Sequence, residues 1–189
     1  MKTEIILASK SAIRKQMLDD IGIPYEVIVS NADETPDLSK SFEDQLADIS
    51  MRKAKVIFDK TIDRGNRIIV AADQNIVFNG KMYGKPKTLE EARKLIKSMS
   101  GRDDIFAYTG NAIICADGDR IIKTINKTDI ARMSMDDISD EELEDYLEKS
   151  KPLTKCGGIS ISDASFIHLK DGKMSTAWGM TIEYLQEMI

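Results

Sequence analysis

Four places in this sequence set ionisable or hydroxyl side chains where they could act on a phosphate. The first is Asp73, which ends the run Arg67-Ile-Ile-Val-Ala-Ala-Asp73. The apolar residues Ile68 to Ala72, several of them β-branched, read as a strand buried on both faces. A strand that delivers a carboxylate at its C-terminal end is a common way for an α/β sheet to place chemistry. Asn79-Gly80 follows between two short strand-like runs, a hairpin signal. The hairpin returns to Gly84-Lys85-Pro86, which could bring Lys85 back beside Asp73. On this stretch alone, a turn-capping acid and a solvated lysine are the better reading.

The second place is Ser11 with Arg14 and Lys15. Glu4 to Ser9 reads as a short buried strand, and Ser11 precedes a helical pattern from Ala12 to Ile21 that stops at Gly22. Strand, serine turn and helix can hold a phosphate, because the first turn has unpaired N–H groups and the positive end of the dipole. Arg14 and Lys15 work against that dipole, so they are either a surface cluster or the partners of a polyanion. The third place is the acidic loop Asp33-Glu34-Thr35-Pro36-Asp37. It is a solvated loop, or one whose carboxylates hold Mg²⁺ beside substrate phosphates. The fourth is Lys53. On the helix expected from Ser41 to Phe58, which has a capping-box-like start at Ser41 and Asp44, Phe42, Leu46, Ile49 and Ile57 share one arc, and Lys53 falls inside it. An unpaired ammonium there is costly to bury, so the lysine either snorkels at the core edge or faces an anion.

The elements that must position these groups can be read on either side. Tyr25 to Val29 has a strand pattern. Thr88 to Met99 is a helix with Thr88 and Glu91 as a capping box, and Ser139 to Lys149 another with Ser139 and Glu142. Leu143, Tyr146 and Leu147 form the inner face of the second. Between them Ile105 to Arg132 is β-like, turning at Ala116-Asp117-Gly118-Asp119. Gly110 inside the first of these strands marks close backbone approach. Ile159 to Leu169 reads as a strand after the Gly157-Gly158 loop, and Thr181 to Ile189 as a short helix. The fold class is therefore α/β. No repeat, linker or low-complexity tract divides the chain, so residues 1–189 are taken as one domain, with two lobes at most.

Composition narrows the function. A chain of 189 residues with 42% hydrophobic and 31% charged residues is globular. A formal net charge of −5 argues against a nucleic-acid backbone as main partner. The only cysteines, Cys115 and Cys156, read as small core residues of a reduced, cytoplasmic protein. With a single histidine, His168, they exclude the usual zinc sites. No apolar run is long enough for a signal peptide or a membrane span, so a soluble intracellular protein with no membrane partner is expected.

The ordered set Leu7-Ala8-Ser9-Lys10-Ser11 with Arg14, Asp33-Glu34-Thr35-Pro36, Lys53-Ala54-Lys55, Ala72-Asp73, Gly84-Lys85-Pro86 and Ser100-Gly101 resembles the Maf family of nucleotide pyrophosphatases, once named for septum-formation inhibition. Each motif is short; their order across about two-thirds of the chain gives the resemblance its weight. Within the family the chain looks more like the subgroup that hydrolyses 7-methyl-GTP. Gln74 follows the aspartate where the UTP/dTTP subgroup carries threonine, and Phe106 to Gly110 and Ser162-Asp163 resemble the methyl-GTP type. Two departures bear on the base. Ile13 stands where the family has tryptophan, and Gly179-Met180-Thr181 stands for its usual Gly-Leu-Pro.

The resemblance implies hydrolysis of a nucleoside triphosphate to the monophosphate and pyrophosphate. It implies a mixed, strongly twisted sheet flanked by helices, with two lobes around a cleft, often as a homodimer. Asp73 would be the proton acceptor and, with Glu34, would bind a divalent metal, Mg²⁺ or Mn²⁺. Lys53 and Lys85 would complete the catalytic set. Ser9, Ser11, Arg14 and Lys15 would take phosphate, and Ile13, Gln74, Ser162 and Asp163 would face the base. Two readings compete: the same enzyme with UTP/dTTP specificity, and a non-catalytic nucleotide-binding regulator of division. The full acid and lysine set favours an enzyme over the latter, and Gln74 argues against the former.

Overall fold

A computed structural model describes residues 3–189. In chain order, β1 (Glu4–Leu7), α1 (Ala12–Asp20) and β2 (Glu26–Val27) come first, then α2 (Phe42–Lys60), β3 (Arg67–Phe78) and β4 (Lys81–Tyr83). There follow α3 (Leu89–Met99), β5 (Ile105–Asp117), β6 (Arg120–Met135) and α4 (Asp140–Lys149). Two 3₁₀ turns (Pro152–Thr154 and Cys156–Gly158), β7 (Ile167–Asp171), α5 (Met174–Ala177) and α6 (Glu183–Gln186) complete the described chain.

The helix-start signals of α2, α3 and α4 are made as hydrogen bonds. Ser41 Oγ accepts from the Asp44 N–H at 3.1 Å, and Thr88 Oγ1 from the Glu91 N–H at 3.1 Å. Ser139 forms the full capping box with Glu142. Glu91 instead reaches one residue further back, accepting from the N–H of Lys87 at 2.8 Å. Each such cap satisfies donors that a helix start leaves over and is worth about 1 kcal/mol.

The strands form a mixed sheet in the order β2-β1-β3-β5-β6-β7, with β4 paired to β3. β1 runs parallel to both β2 and β3, whereas β4 on β3 and β7 on β6 are antiparallel. Long runs of small and β-branched residues let β3 stay buried from Arg67 to Ala72. The expected mixed α/β sheet with helices is thus present.

Two compact units divide the chain. The first comprises Met1–Asp73, Thr109–Asp129 and Gly179–Ile189. Its core gathers Ile6 and Ala8, Ala54 and Ile57 of α2, Ile69 of β3, and Ala112 and Ile114 of β5. Gly110 is the close approach that the sequence marks: a Cβ there would lie 2.3 Å from the Leu46 carbonyl oxygen of α2. The second unit comprises Gln74–Tyr108 and Ile130–Trp178. Its core includes Phe78, Ile96, Met99, Met133, Leu143 and Ile167, with Tyr146 packed edge-on to Phe166 at 5.4 Å.

Several expectations change. Ile159 to Leu169 is not one strand; only Ile167–Asp171 is extended as β7. The Asp163 N–H closes a turn on Ser160 O at 3.1 Å, and Ser162 Oγ bonds Asp163 Oδ1 at 2.8 Å. Ser and Asp side chains offer the backbone such local alternatives to a ladder. The strand expected from Tyr25 to Val29 pairs only at Glu26–Val27, the final helix is limited to Glu183–Gln186, and α5 was not foreseen. Both cysteines are half-buried rather than core residues, and neither is in a disulfide. Among the described residues, no helix is long and apolar enough to cross a membrane.

Candidate active site

The arc that placed Lys53 among apolar residues has a physical explanation. Lys53 is buried, 7% exposed, and its ammonium is paired twice. Nζ donates to Asp73 Oδ1 at 2.5 Å and lies 3.1 Å from Glu34 Oε2. A buried ammonium is tolerated when carboxylates take its charge, which snorkelling to water would not achieve. All three residues belong to the first unit.

Each reaches this point by a different local cause. Asp73 does not end its strand as expected but lies within β3, which runs on to Phe78 to pair with β4. Ile68 to Val70 of β3 pair in parallel with Ile5 to Leu7. The Ala8 N–H extends that pairing to Val70 O at 2.8 Å. Glu34 lies in the loop before α2, its side chain 60% exposed. The neighbour of Lys53 on α2 steadies that loop: Arg52 Nη2 donates to Thr35 O at 2.8 Å, and Arg52 Nη1 lies 3.6 Å from Asp33 Oδ2. The Thr35 hydroxyl and N–H hold the Asp33 carboxyl below its usual range. Consecutive residues of one helix thus hold the acidic loop and the acid on β3.

At the start of α1, Arg14 is held by acceptors of the protein itself. Arg14 Nε donates to Gly179 O at 2.8 Å, and its Nη1 to Ala72 O at 2.8 Å and Ser9 Oγ at 3.3 Å. Ser11 is the N-cap, with no side-chain bond into the helix, and its N–H donates to Ser9 Oγ at 3.2 Å. Ile13 and Lys15 are half-buried on the same turn. Ala72 and Asp73, adjacent on β3, therefore each carry a cation, Arg14 on the carbonyl and Lys53 on the carboxylate.

Asp73 and Glu34 face the same ammonium, so they present hard oxygen donors close together. No group of three or more metal-binding side chains occurs among the described residues. Mg²⁺ does not need one: it is commonly held by one or two carboxylates plus substrate phosphates and water. The donor set fits such an ion.

The remaining candidates belong to the second unit. Gln74 Nε2 donates to Thr176 O and Ala177 O, both at 3.0 Å, which fastens it to α5. The Gln74 carbonyl accepts from Cys156 Sγ at 2.8 Å. Lys85 is exposed just beyond β4, after Gly84, which sits close to the Asn75 side chain. Ser162 bridges Ser160 and Asp163, and Asp163 Oδ2 is ion-paired with Lys155. Burial pushes the Asp163 carboxyl up, but the hydrogen bonds from Lys155 and Ser162 outweigh it and hold it below the usual range. Lys155 also lies over the Tyr146 ring at 5.5 Å, and burial pushes that phenol up to about 12.

The sequence reading brought out neither Arg52 nor Lys155. Arg52 stands next to Lys53, and its signal is the basic cluster Arg52, Lys53 and Lys55. Lys155 stands in an irregular loop, where no spacing rule links it to Asp163.

The family description "Maf-like protein" matches residues 4–189. The dTTP/UTP pyrophosphatase of Bdellovibrio bacteriovorus is 28% identical over 193 residues, covering 100% of this chain and 98% of that protein. The dTTP/UTP pyrophosphatase of Thermotoga maritima is 31% identical over 193 residues, covering 97% and 88%. The one from Bacillus anthracis is 30% identical over 184 residues, covering 96% and 92%.

Proposed function

The chain belongs to the Maf family of nucleotide pyrophosphatases, and we propose that it hydrolyses 7-methyl-GTP to the monophosphate and pyrophosphate. The observation that carries the reaction is Lys53 Nζ between Asp73 Oδ1 and Glu34 Oε2. Water attacks the α-phosphorus, a P–O bond forms, and the bond to the β-phosphate oxygen breaks. The attacking water must lose a proton, and Asp73 is the acceptor. The Lys53 ammonium fixes the direction in which that carboxylate points, which is the positioning that proton transfer requires. Ser9, Ser11 and Lys15, at the turn into α1, supply hydroxyl, N–H and positive charge for the phosphate oxygens. Arg14 contributes there chiefly by fixing the peptide before Asp73.

Asp73 and Glu34 would hold a divalent cation, Mg²⁺ or Mn²⁺. Such an ion, when bound, neutralises charge on the triphosphate. Lys85 is assigned to the leaving pyrophosphate as a point charge. We treat residues 1–189 as one catalytic domain acting on a free nucleotide, and expect a homodimer in the cytoplasm.

Base preference rests on Gln74, Ile13, Ser162 and Asp163. Asp163, kept ionised by Lys155 and Ser162, suits the N–H donors of a guanine edge. Ile13 supplies an apolar contact for the base. The second reading is dTTP and UTP hydrolysis, favoured by the names of the three relatives above.

Pyrophosphate release from 7-methyl-GTP, GTP, UTP and dTTP, with Mg²⁺ or Mn²⁺, tests both. Fastest release from 7-methyl-GTP is expected. Release led by UTP or dTTP would keep the reaction and replace the substrate. Nucleotide binding with no release from any of them would make this a binding protein.

A further inference from the structure

In the first unit, Gly179–Ile189 joins Thr109–Asp129 through a polar knot in which buried Thr181, Asn111 and Tyr184 gather on half-buried Asp129, with no part in the chemistry above. Thr181 is 1% exposed and donates twice. Its N–H goes to Asn111 Oδ1 at 2.8 Å, and its hydroxyl to Asp129 Oδ2 at 2.7 Å. The Tyr184 hydroxyl donates to the other oxygen of Asp129 at 2.9 Å. Asn111 Nδ2 donates to Thr109 O at 3.0 Å and lies 3.3 Å from Asp129 Oδ2. A buried polar network satisfied in this way holds one geometry, because any slip leaves a donor or acceptor without a partner.

That geometry is passed along the chain. Two residues before Thr181, Gly179 adopts φ 98°, a left-handed conformation that favours glycine. The Gly179 carbonyl accepts from Arg14 Nε. Guanidinium is planar, so fixing Nε and Nη1 on two carbonyls fixes the whole group. The second of those carbonyls is Ala72, joined by one peptide bond to Asp73.

We propose that Thr181 is a positioning residue for Asp73. Held by Asn111 and Asp129, it sets the Gly179 carbonyl, which orients Arg14, which fixes the Ala72–Asp73 peptide. This rests on the reading of Asp73 as the proton acceptor.

The test has two readouts. The first is kcat and KM for pyrophosphate release. The second is solvent exchange of the Arg14 Nε–H by NMR, its signal identified by its loss in Arg14→Lys. Thr181→Val keeps the shape and the N–H but removes the hydroxyl. It is expected to lower kcat about tenfold with KM unchanged, and to speed exchange of the Arg14 proton. Thr181→Ser, which retains both donors, is expected to restore both. Asp129→Asn is a second route to the same loss, should the valine variant not fold. Wild-type kcat and wild-type exchange in folded Thr181→Val or Asp129→Asn would overturn the proposal, even with a lowered melting temperature. So would slowed turnover with the Arg14 proton still protected. Were the wild type to release no pyrophosphate, the functional reading would fall by itself, and the Arg14 exchange would still decide the relay.

Discussion

Lys53 of α2 and Asp73 of β3 meet at 2.5 Å inside the first unit, joining the middle of a helix to the end of a buried strand run. Neither residue has an ordinary structural reason to be where it is. A lysine within an apolar arc and an aspartate in mid-strand, just past the buried run of β3, each cost free energy unless paired. Together they form an oriented carboxylate beside a second one, Glu34. In the reaction proposed above, that pairing orients Asp73 toward the attacking water.

Asp73→Asn keeps the shape and removes the base. Turnover should be lost while nucleotide affinity stays within about tenfold, or ~1.4 kcal/mol. Pyrophosphate release and calorimetric titration with nucleotide check the two halves. Wild-type turnover in this variant would remove Asp73 from catalysis.

Gly110→Ala places a methyl group 2.3 Å from the Leu46 carbonyl oxygen, a backbone atom of α2 with little room to move. A loss of more than about 2 kcal/mol is expected from urea unfolding, because helix and strand must separate to admit it. Stability equal to wild type would mean that α2 does not pack this closely on β5.

Asp163→Ala should shift the ratio of rates on 7-methyl-GTP and UTP by about tenfold or more, the worth of a hydrogen bond to a charged acceptor. An unchanged ratio would take Asp163 out of base recognition and leave it as the partner of Lys155.

Tyr184 gives a pH test of the polar knot. Burial, then its hydrogen bond to Asp129 and that carboxylate's charge, push its phenol up to about 12. The unfolded chain loses that proton near pH ~10, so the folded state binds more protons above this point. The stabilisation is therefore full below about pH 10 and is lost as pH rises toward 12. Urea midpoints measured up the alkaline range should fall more steeply for wild type than for Tyr184→Phe. Parallel curves would mean that the phenol is not held by Asp129.

What the sequence determined by itself was local. The apolar run before Asp73, the serine and threonine caps of α2, α3 and α4, the turn at Gly118 and the close approach at Gly110 each follow from neighbouring residues. Those residues restrict the backbone or demand burial wherever the chain goes. The helical arc also marked Lys53 as a charge in need of a partner. Only the tertiary structure decided who the partners were. Lys53 found Asp73 and Glu34, Arg14 found Gly179 and Ala72 rather than an open helix end, and Asp163 found Lys155. The departure of Ile159 to Phe166 from the strand that its apolar residues suggested was itself local, made by hydrogen bonds among Ser160, Ser162 and Asp163 that the apolar pattern did not show. The division has a physical reason: propensity and capping act over a few residues, whereas ion pairs depend on which distant segments the packing brings within about 4 Å of each other.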